Sequence, residues 1–145
     1  AALLALEQAQ LSSDPNTGVR SLPPAAAWKL IEQGLASLVD VRTKEELHFV
    51  GRIPNSVHIA WATGLSMTRN PRFVRELQSR FEKDQVIFLL CRSGKRSALA
   101  VEAANQAGFT HIYNIAEGFE GDLNAQQQRG KLGGWRQAGL PWEQD

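Results

Sequence analysis

The residues best equipped for covalent chemistry stand together in one run, Cys91-Arg92-Ser93-Gly94-Lys95-Arg96-Ser97. Cys91 is the only cysteine of the chain and follows the apolar stretch Val86-Ile87-Phe88-Leu89-Leu90. After the run, Ala98-Leu99-Ala100-Val101-Glu102-Ala103-Ala104-Asn105-Gln106-Ala107 is alanine-rich and unbroken until Gly108, the composition of a helix with a glycine stop. The spacing predicts a strand that delivers a thiol into a loop seated on a helix N-terminus. Unpaired amides and the positive dipole end of such a helix attract an anion. Arg92, Lys95 and Arg96 add three cations, with no carboxylate before Glu102. A thiol placed there is expected to ionise readily and to act as a nucleophile facing an anion cradle. Gly94 lets the backbone curl around the sulfur, and the Ser97 hydroxyl is placed to hydrogen-bond it. An isolated cysteine after a core strand commonly serves as a small buried hydrophobe, but that role needs neither three cations nor a glycine.

Accessory candidates are fewer. Asp40 and Arg42 close an apolar strand on the same side of the sheet as Cys91, either as a buried structural pair or as substrate contacts. Trp61 follows a strand end and is a candidate pocket wall, whereas Trp28, Trp135 and Trp142 read as core or terminal anchors. His48, His58 and His111 have no carboxylate or thiol at ligand spacing, so neither a metal nor another cofactor is expected.

At these residues the sequence resembles the rhodanese family of sulfurtransferases. Cys91 to Arg96 resembles the six-residue active-site loop of that family, whose first cysteine takes up a sulfane sulfur as a persulfide. Leu38-Val39-Asp40-Val41-Arg42 with Glu45-Glu46-Leu47, and Gly51-Arg52-Ile53-Pro54-Asn55-Ser56-Val57-His58-Ile59, match two further motifs in order. Ile112-Tyr113-Asn114-Ile115 and Glu117-Gly118-Phe119 resemble the last strand and its turn. The likeness runs from about Arg20 to about Pro141. Arg52 stands where the family usually has histidine, and Asn55-Ser56 replaces Gly-Ala. A polar, glycine-punctuated segment near 120–134 separates the last turn from Trp135 and reads as an inserted surface loop.

The elements that must position this loop follow a strand-then-helix grammar. Ser12 to Gly18 is rich in turn residues and reads as a linker, and Ser21-Leu22-Pro23-Pro24 as a helix entry with proline in the first turn. A helix from Ala25 stops at Gly34, and Leu35 to Val41 forms a buried strand. Thr43 with Glu46 is a capping-box pattern opening the next helix. Val57 to Ala60 is a short strand, and Asn70-Pro71 opens a helix running to Phe81. Val86 to Leu90 and His111 to Ile115 are the remaining strands. Continuous apolar strands alternating with helices imply a parallel sheet covered on both faces. The expected fold is α/β and rhodanese-like, a central, mostly parallel five-stranded sheet with helices on both faces. Ligand sites of open sheets lie at the carboxyl ends of strands, where Cys91 sits.

A length of 145 residues and a hydrophobic fraction of 43% fit a single domain, assigned to 18–145 behind an N-terminal helix and linker over 1–17. Residues 1–11 read as an amphipathic helix or as the stub of a removed targeting segment. The corresponding compartment is the cytoplasm, or an exported or organellar location in the second case. A net charge of +1 excludes a broad nucleic-acid surface, and no apolar run approaches the ~18 residues needed to span a bilayer. One cysteine leaves no resolving thiol.

The expected activity is therefore transfer of a sulfane sulfur from thiosulfate or a persulfide to cyanide, glutathione or a protein thiol, through a Cys91 persulfide. Arg92, Ser93, Gly94, Lys95, Arg96 and Ser97 would hold the small anionic donor, with the planar fork of Arg96 contributing more than Lys95. One rival is a non-catalytic sulfur-carrier or partner-binding module. The other is a cysteine phosphatase or arsenate reductase, whose loops set the arginine one position further from the cysteine.

Overall fold

The protein is described by a computed structural model that covers residues 11–64, 66–129 and 133–144. The helix expected over residues 1–11 lies almost wholly outside the described residues. The elements run β1 (Ser12–Ser13), β2 (Arg20–Leu22), α1 (Pro24–Glu32), β3 (Ser37–Asp40), α2 (Lys44–Phe49), β4 (Val57–His58), β5 (Ala62–Thr63), β6 (Thr68–Arg69), α3 (Phe73–Arg80), β7 (Ile87–Leu90), α4 (Lys95–Gln106) and β8 (Ile112–Ile115).

The main sheet has the order β1-β2-β8-β7-β3-β4. The five strands β2, β8, β7, β3 and β4 are mutually parallel, as expected, but a sixth strand, β1, pairs antiparallel with β2. Part of the segment read as a linker is thus paired into the main sheet. Its turn residues close a hairpin, with Gly18 N–H donating to Asp14 O at 2.8 Å and Asp14 N–H to Val19 O at 2.9 Å. The serines of β1 carry no apolar pattern to announce a strand. Similarly, Arg20-Ser21-Leu22 is a short strand next to the sheet edge, and the helix entry, with proline in its first turn as expected, begins only at Pro23. The β5–β6 hairpin is a second small sheet that no periodicity announced.

Alternation along the strands sorts the core into two layers. Val39, Ile87, Leu89 and Ile112 face α3 and α4, meeting Phe73, Leu77, Ala100, Val101 and Ala104. Leu38, Phe88, Leu90, Tyr113 and Ile115 face α1 and the C-terminal segment, meeting Ala27, Leu30, Phe119 and Trp135. Burial on both faces explains why β7 reads as an unbroken apolar run. Helix α2 buries none of its residues fully and is fixed by its N-terminus. Thr43 Oγ1 accepts from Glu46 N–H and the Glu46 carboxylate accepts from Thr43 N–H, completing the capping box. Among the described residues no helix is long and apolar enough to cross a membrane.

Candidate active site

Strand β7 lies between β8 and β3, so its carboxyl end delivers Cys91 to the middle of the sheet's upper edge. Cys91 is 1% exposed. Gly94 forms the N-cap of α4 at φ +102°, a left-handed conformation that side chains resist. The conformation turns the Gly94 N–H to Cys91 Sγ at 3.1 Å, and Ser97 Oγ, one turn into α4, lies 3.3 Å from the same sulfur. Lys95, Arg96 and Ser97 form the first turn of the helix, so the loop is seated on a helix N-terminus as expected.

The first two carbonyls of the loop are held by the turn after β8. Phe119 N–H donates to Cys91 O at 2.8 Å, and Glu120 and Gly121 N–H donate to Arg92 O at 2.9 and 3.2 Å. This contact brings Gly118, at φ +64°, so near that an added Cβ would lie 2.5 Å from Cys91 O. The inserted segment starts from this turn and returns to it. Gly134 N–H donates to Glu117 Oε1, Trp135 N–H to Gly118 O, and Arg129 Nη1 to Gly121 O, each at 2.8 Å. Asp122, Leu123 and Ala125 to Gln128 are exposed, in keeping with a surface loop whose closed neck braces the cysteine loop.

The cations divide unequally. Arg96 gives both guanidinium arms to Glu46 of α2, Nη1 to Oε1 at 2.7 Å and Nη2 to Oε2 at 2.8 Å. The fork expected to receive a substrate is therefore filled by a carboxylate fifty positions away in sequence. Burial alone would push the Glu46 carboxyl up, but the Arg96 hydrogen bond and charge, the Thr43 amide and the Arg42 charge outweigh it and hold the group below its ordinary 4.5. Against the opposing effect of burial, Glu46 also holds the Arg96 guanidinium more firmly protonated than usual, with the sulfur of Cys91 and Asp40 adding to it. Lys95 is exposed and Arg92 half-buried. The Arg92 Nε is buried without a hydrogen-bond partner among the described residues.

Asp40 and Arg42 form a closed pair, both fully buried. Arg42 Nε and Nη2 reach the Asp40 carboxylate at 2.9 and 2.7 Å, Nη2 also donates to Gly51 O at 2.8 Å, and the guanidinium lies 4.3 Å from the Phe119 ring centroid. Of the two roles open for this pair, the geometry fits the structural one. It ties the end of β3 to the turn at Gly51 and to the aromatic ring beneath the cysteine loop. Trp61 shares a core cluster with Cys91, but its ring packs edge-on against Phe73 at 5.3 Å with Arg69 above it at 4.6 Å. Ser93 is half-buried in the loop. Two cavities along the edge strand β4, sharing His58, Ala60 and Thr63 in their walls, do not include Cys91. Among the described residues no group of three or more His, Cys, Asp or Glu is arranged to hold a metal ion.

Two neighbours of the cysteine loop escaped sequence reasoning. Glu46 was legible as a cap but not as the partner of Arg96. Asn114 is 6% exposed on β8, and its side chain contacts Ser97 Oγ closely while Nδ2 donates to Ser21 Oγ at 3.3 Å. A polar residue inside the apolar strand Ile112-Tyr113-Asn114-Ile115 was the available signal, since a buried amide requires partners.

A family profile described as Rhodanese-like domain matches residues 23–125. An uncharacterized protein of Rickettsia prowazekii (strain Madrid E) is 40% identical over 116 residues, 79% of this chain and 88% of that protein. Among solved structures, Rv0390 from M. tuberculosis superposes with a TM-score of 0.77 at 42% identity, covering 86% of this chain and 97% of that one. Thiosulfate sulfurtransferase 16, chloroplastic, of Arabidopsis thaliana is 36% identical over 84 residues, 56% of this chain and 68% of that protein.

Proposed function

This chain belongs to the rhodanese-like domain family, a sulfurtransferase-type domain, and on that premise we propose that it transfers a sulfane sulfur through a persulfide on Cys91. The observation that carries the reading is the sulfur's position, at a strand end and in contact with the Gly94 amide and the Ser97 hydroxyl at the start of α4. Those donors favour negative charge on sulfur.

In the first half-reaction the Cys91 thiolate attacks the outer sulfur of a donor such as thiosulfate. A Cys91 S–S bond forms, the donor's S–S bond breaks, and sulfite leaves with the bonding pair. In the second, an acceptor such as cyanide or a thiolate attacks the terminal sulfur, and Cys91 leaves as the thiolate it was at the start. Because Arg96 is matched by Glu46 and Arg42 by Asp40, the cations left to attract an anionic donor are Arg92 and Lys95, together with the loop amides from Ser93 onward. Arg96 serves this scheme as part of a neutral pair that fixes α2 against α4.

The test is intact-mass spectrometry after incubation with thiosulfate, with and without cyanide. The expected result is a gain of one sulfur atom that cyanide removes and that Cys91→Ser does not acquire. A variant lacking the thiol that still transfers sulfur would refute the scheme, as would the absence of an adduct with thiosulfate and with persulfide donors alike.

A further inference from the structure

The Ser97 hydroxyl has one proton and two neighbours that both accept in the arrangement seen, Cys91 Sγ at 3.3 Å and the carbonyl oxygen of the Asn114 side chain. Ser97 is fully buried and Asn114 is 6% exposed, so water is not at hand to supply a missing partner. On its far side the Asn114 amide reaches Ser21 Oγ of β2 at 3.3 Å. An unbroken chain of four groups thus runs from the sulfur into the sheet: Cys91, Ser97, Asn114, Ser21. Its amide packs beneath the loop itself, since a Cβ on Gly94 would lie 3.7 Å from Asn114 Nδ2.

The chain has two self-consistent directions. With a thiol, S–H donates to Ser97, Ser97 O–H donates to Asn114 Oδ1, and Asn114 Nδ2 donates to Ser21. With a thiolate, every bond reverses once the amide turns over: Ser21 O–H donates to Oδ1, Nδ2 donates to Ser97, and Ser97 O–H donates to sulfur. The thiol proton itself goes to base or water, and the hydroxyl protons only reorient. A primary amide offers a donor and an acceptor in one plane without titrating, so it satisfies both directions, whereas an ionised carboxylate of the same size only accepts.

We infer that Asn114 is a positioning residue for the sulfur chemistry, turning the Ser97 hydroxyl toward Cys91 whenever the sulfur is charged. The inference rests on the reading of Cys91 as the nucleophile. In the reaction proposed above, Asn114 acts at both moments when Cys91 carries charge, before attack on the donor and on release of sulfur to the acceptor.

The test is the pH dependence of alkylation of Cys91 by iodoacetamide, followed by intact mass on the full chain; the single cysteine makes the adduct unambiguous. Asn114→Asp keeps the shape but, once ionised, only accepts, so it holds the Ser97 proton away from sulfur. Its alkylation midpoint should rise by about one pH unit or more. Part of that rise is plain charge repulsion, so the same substitution is repeated in Ser97→Ala, where it should shift the midpoint distinctly less. An equal rise in both backgrounds, or no rise in either, overturns the inference; a residue that only knots β8 to β2 would lower thermal stability and give the same charge-driven rise with or without the Ser97 hydroxyl. Among the described residues the other charges near this site are Arg92 and Lys95 of the loop, Arg96 with Glu46 of α2, Asp40 at the end of β3 with Arg42 just after it, and Glu117 after β8, and they are common to all variants.

A measurement on the unaltered protein covers the case in which Asn114→Asp does not fold. The side-chain NH2 signals of Asn114 in a 15N-correlated NMR spectrum should move with pH at the alkylation midpoint, and should stand still in Ser97→Ala. Signals of the unaltered protein that ignore that midpoint overturn the inference. Neither readout involves sulfur transfer, so a failed thiosulfate reaction and a failed relay are seen separately.

Discussion

Replacing Glu46 with Gln isolates the charge of the Arg96 pair from the rest of its surroundings. Glutamine keeps an oxygen for the Thr43 amide and is itself a capping-box residue, so the start of α2 survives. The losses are the ion pair and the second arm of the fork, where Nη2 at 2.8 Å now meets an NH2 group. A hydrogen bond to a charged partner contributes ~1.5–3 kcal/mol, and the two side chains are 16% and 14% exposed. Allowing for screening by that access, the loss should be about 2 kcal/mol. For a domain of this size that corresponds to a fall in Tm of about 5–10 °C, measurable by circular dichroism. The pH dependence supplies the sharper check. Because the folded protein holds the Glu46 carboxyl below its ordinary 4.5, its stabilisation is fully present above that value and is lost as pH falls through the lower, folded one. The gap in Tm between the natural protein and the variant should be constant from neutrality down to about pH 5 and should narrow as the pH falls further. A gap at pH 7 too small to resolve, or one still undiminished at pH 3, would refute the assignment of Arg96 to Glu46.

The same pairing predicts non-additive kinetics. Arg96→Gln alone strands a carboxylate near the sulfur and should raise the thiosulfate KM by about tenfold, or ~1.4 kcal/mol, whereas Glu46→Gln with Arg96→Gln should stay within about threefold of the natural protein; equal penalties would argue that Arg96 holds the donor directly. Gly94→Ala meets no atom closer than 3.5 Å, so its cost is that of the left-handed backbone, about 1–2 kcal/mol in a urea titration. Gly118→Ala adds a collision at 2.5 Å with Cys91 O to the same backbone strain and should lose about 3 kcal/mol or more, with persulfide formation impaired in the material that folds. If the two alanine variants behaved alike, the 118–121 turn would not be what braces the loop.

The fold was legible where burial leaves a pattern. Strand β7 is buried throughout and shows an unbroken apolar run, β3 and β8 are mostly apolar with a polar residue at Asp40 and Asn114, and α4 shows its alanines between a loop glycine and Gly108. The misread elements are those whose stability comes from pairing rather than from their own composition. Ser12–Ser13 is a strand because Arg20–Ser21 offers it an edge, and Arg20–Leu22 because β8 does; neither segment is long enough to show a period of two. The β5–β6 hairpin is likewise two residues a side.

At the site, the local sequence specified which atoms surround the sulfur but not what neutralises them. Loop, helix start, Gly94 and Ser97 are contiguous with Cys91, and all stand where their spacing implied. Counting cations within that run overstated the field, because a carboxylate arrives from another element, Glu46 of α2 onto Arg96. Charge within a loop is therefore an upper bound on the charge a substrate meets. A site pre-neutralised in this way draws less on long-range attraction and more on short donors aimed at one atom, the Gly94 amide and the Ser97 hydroxyl.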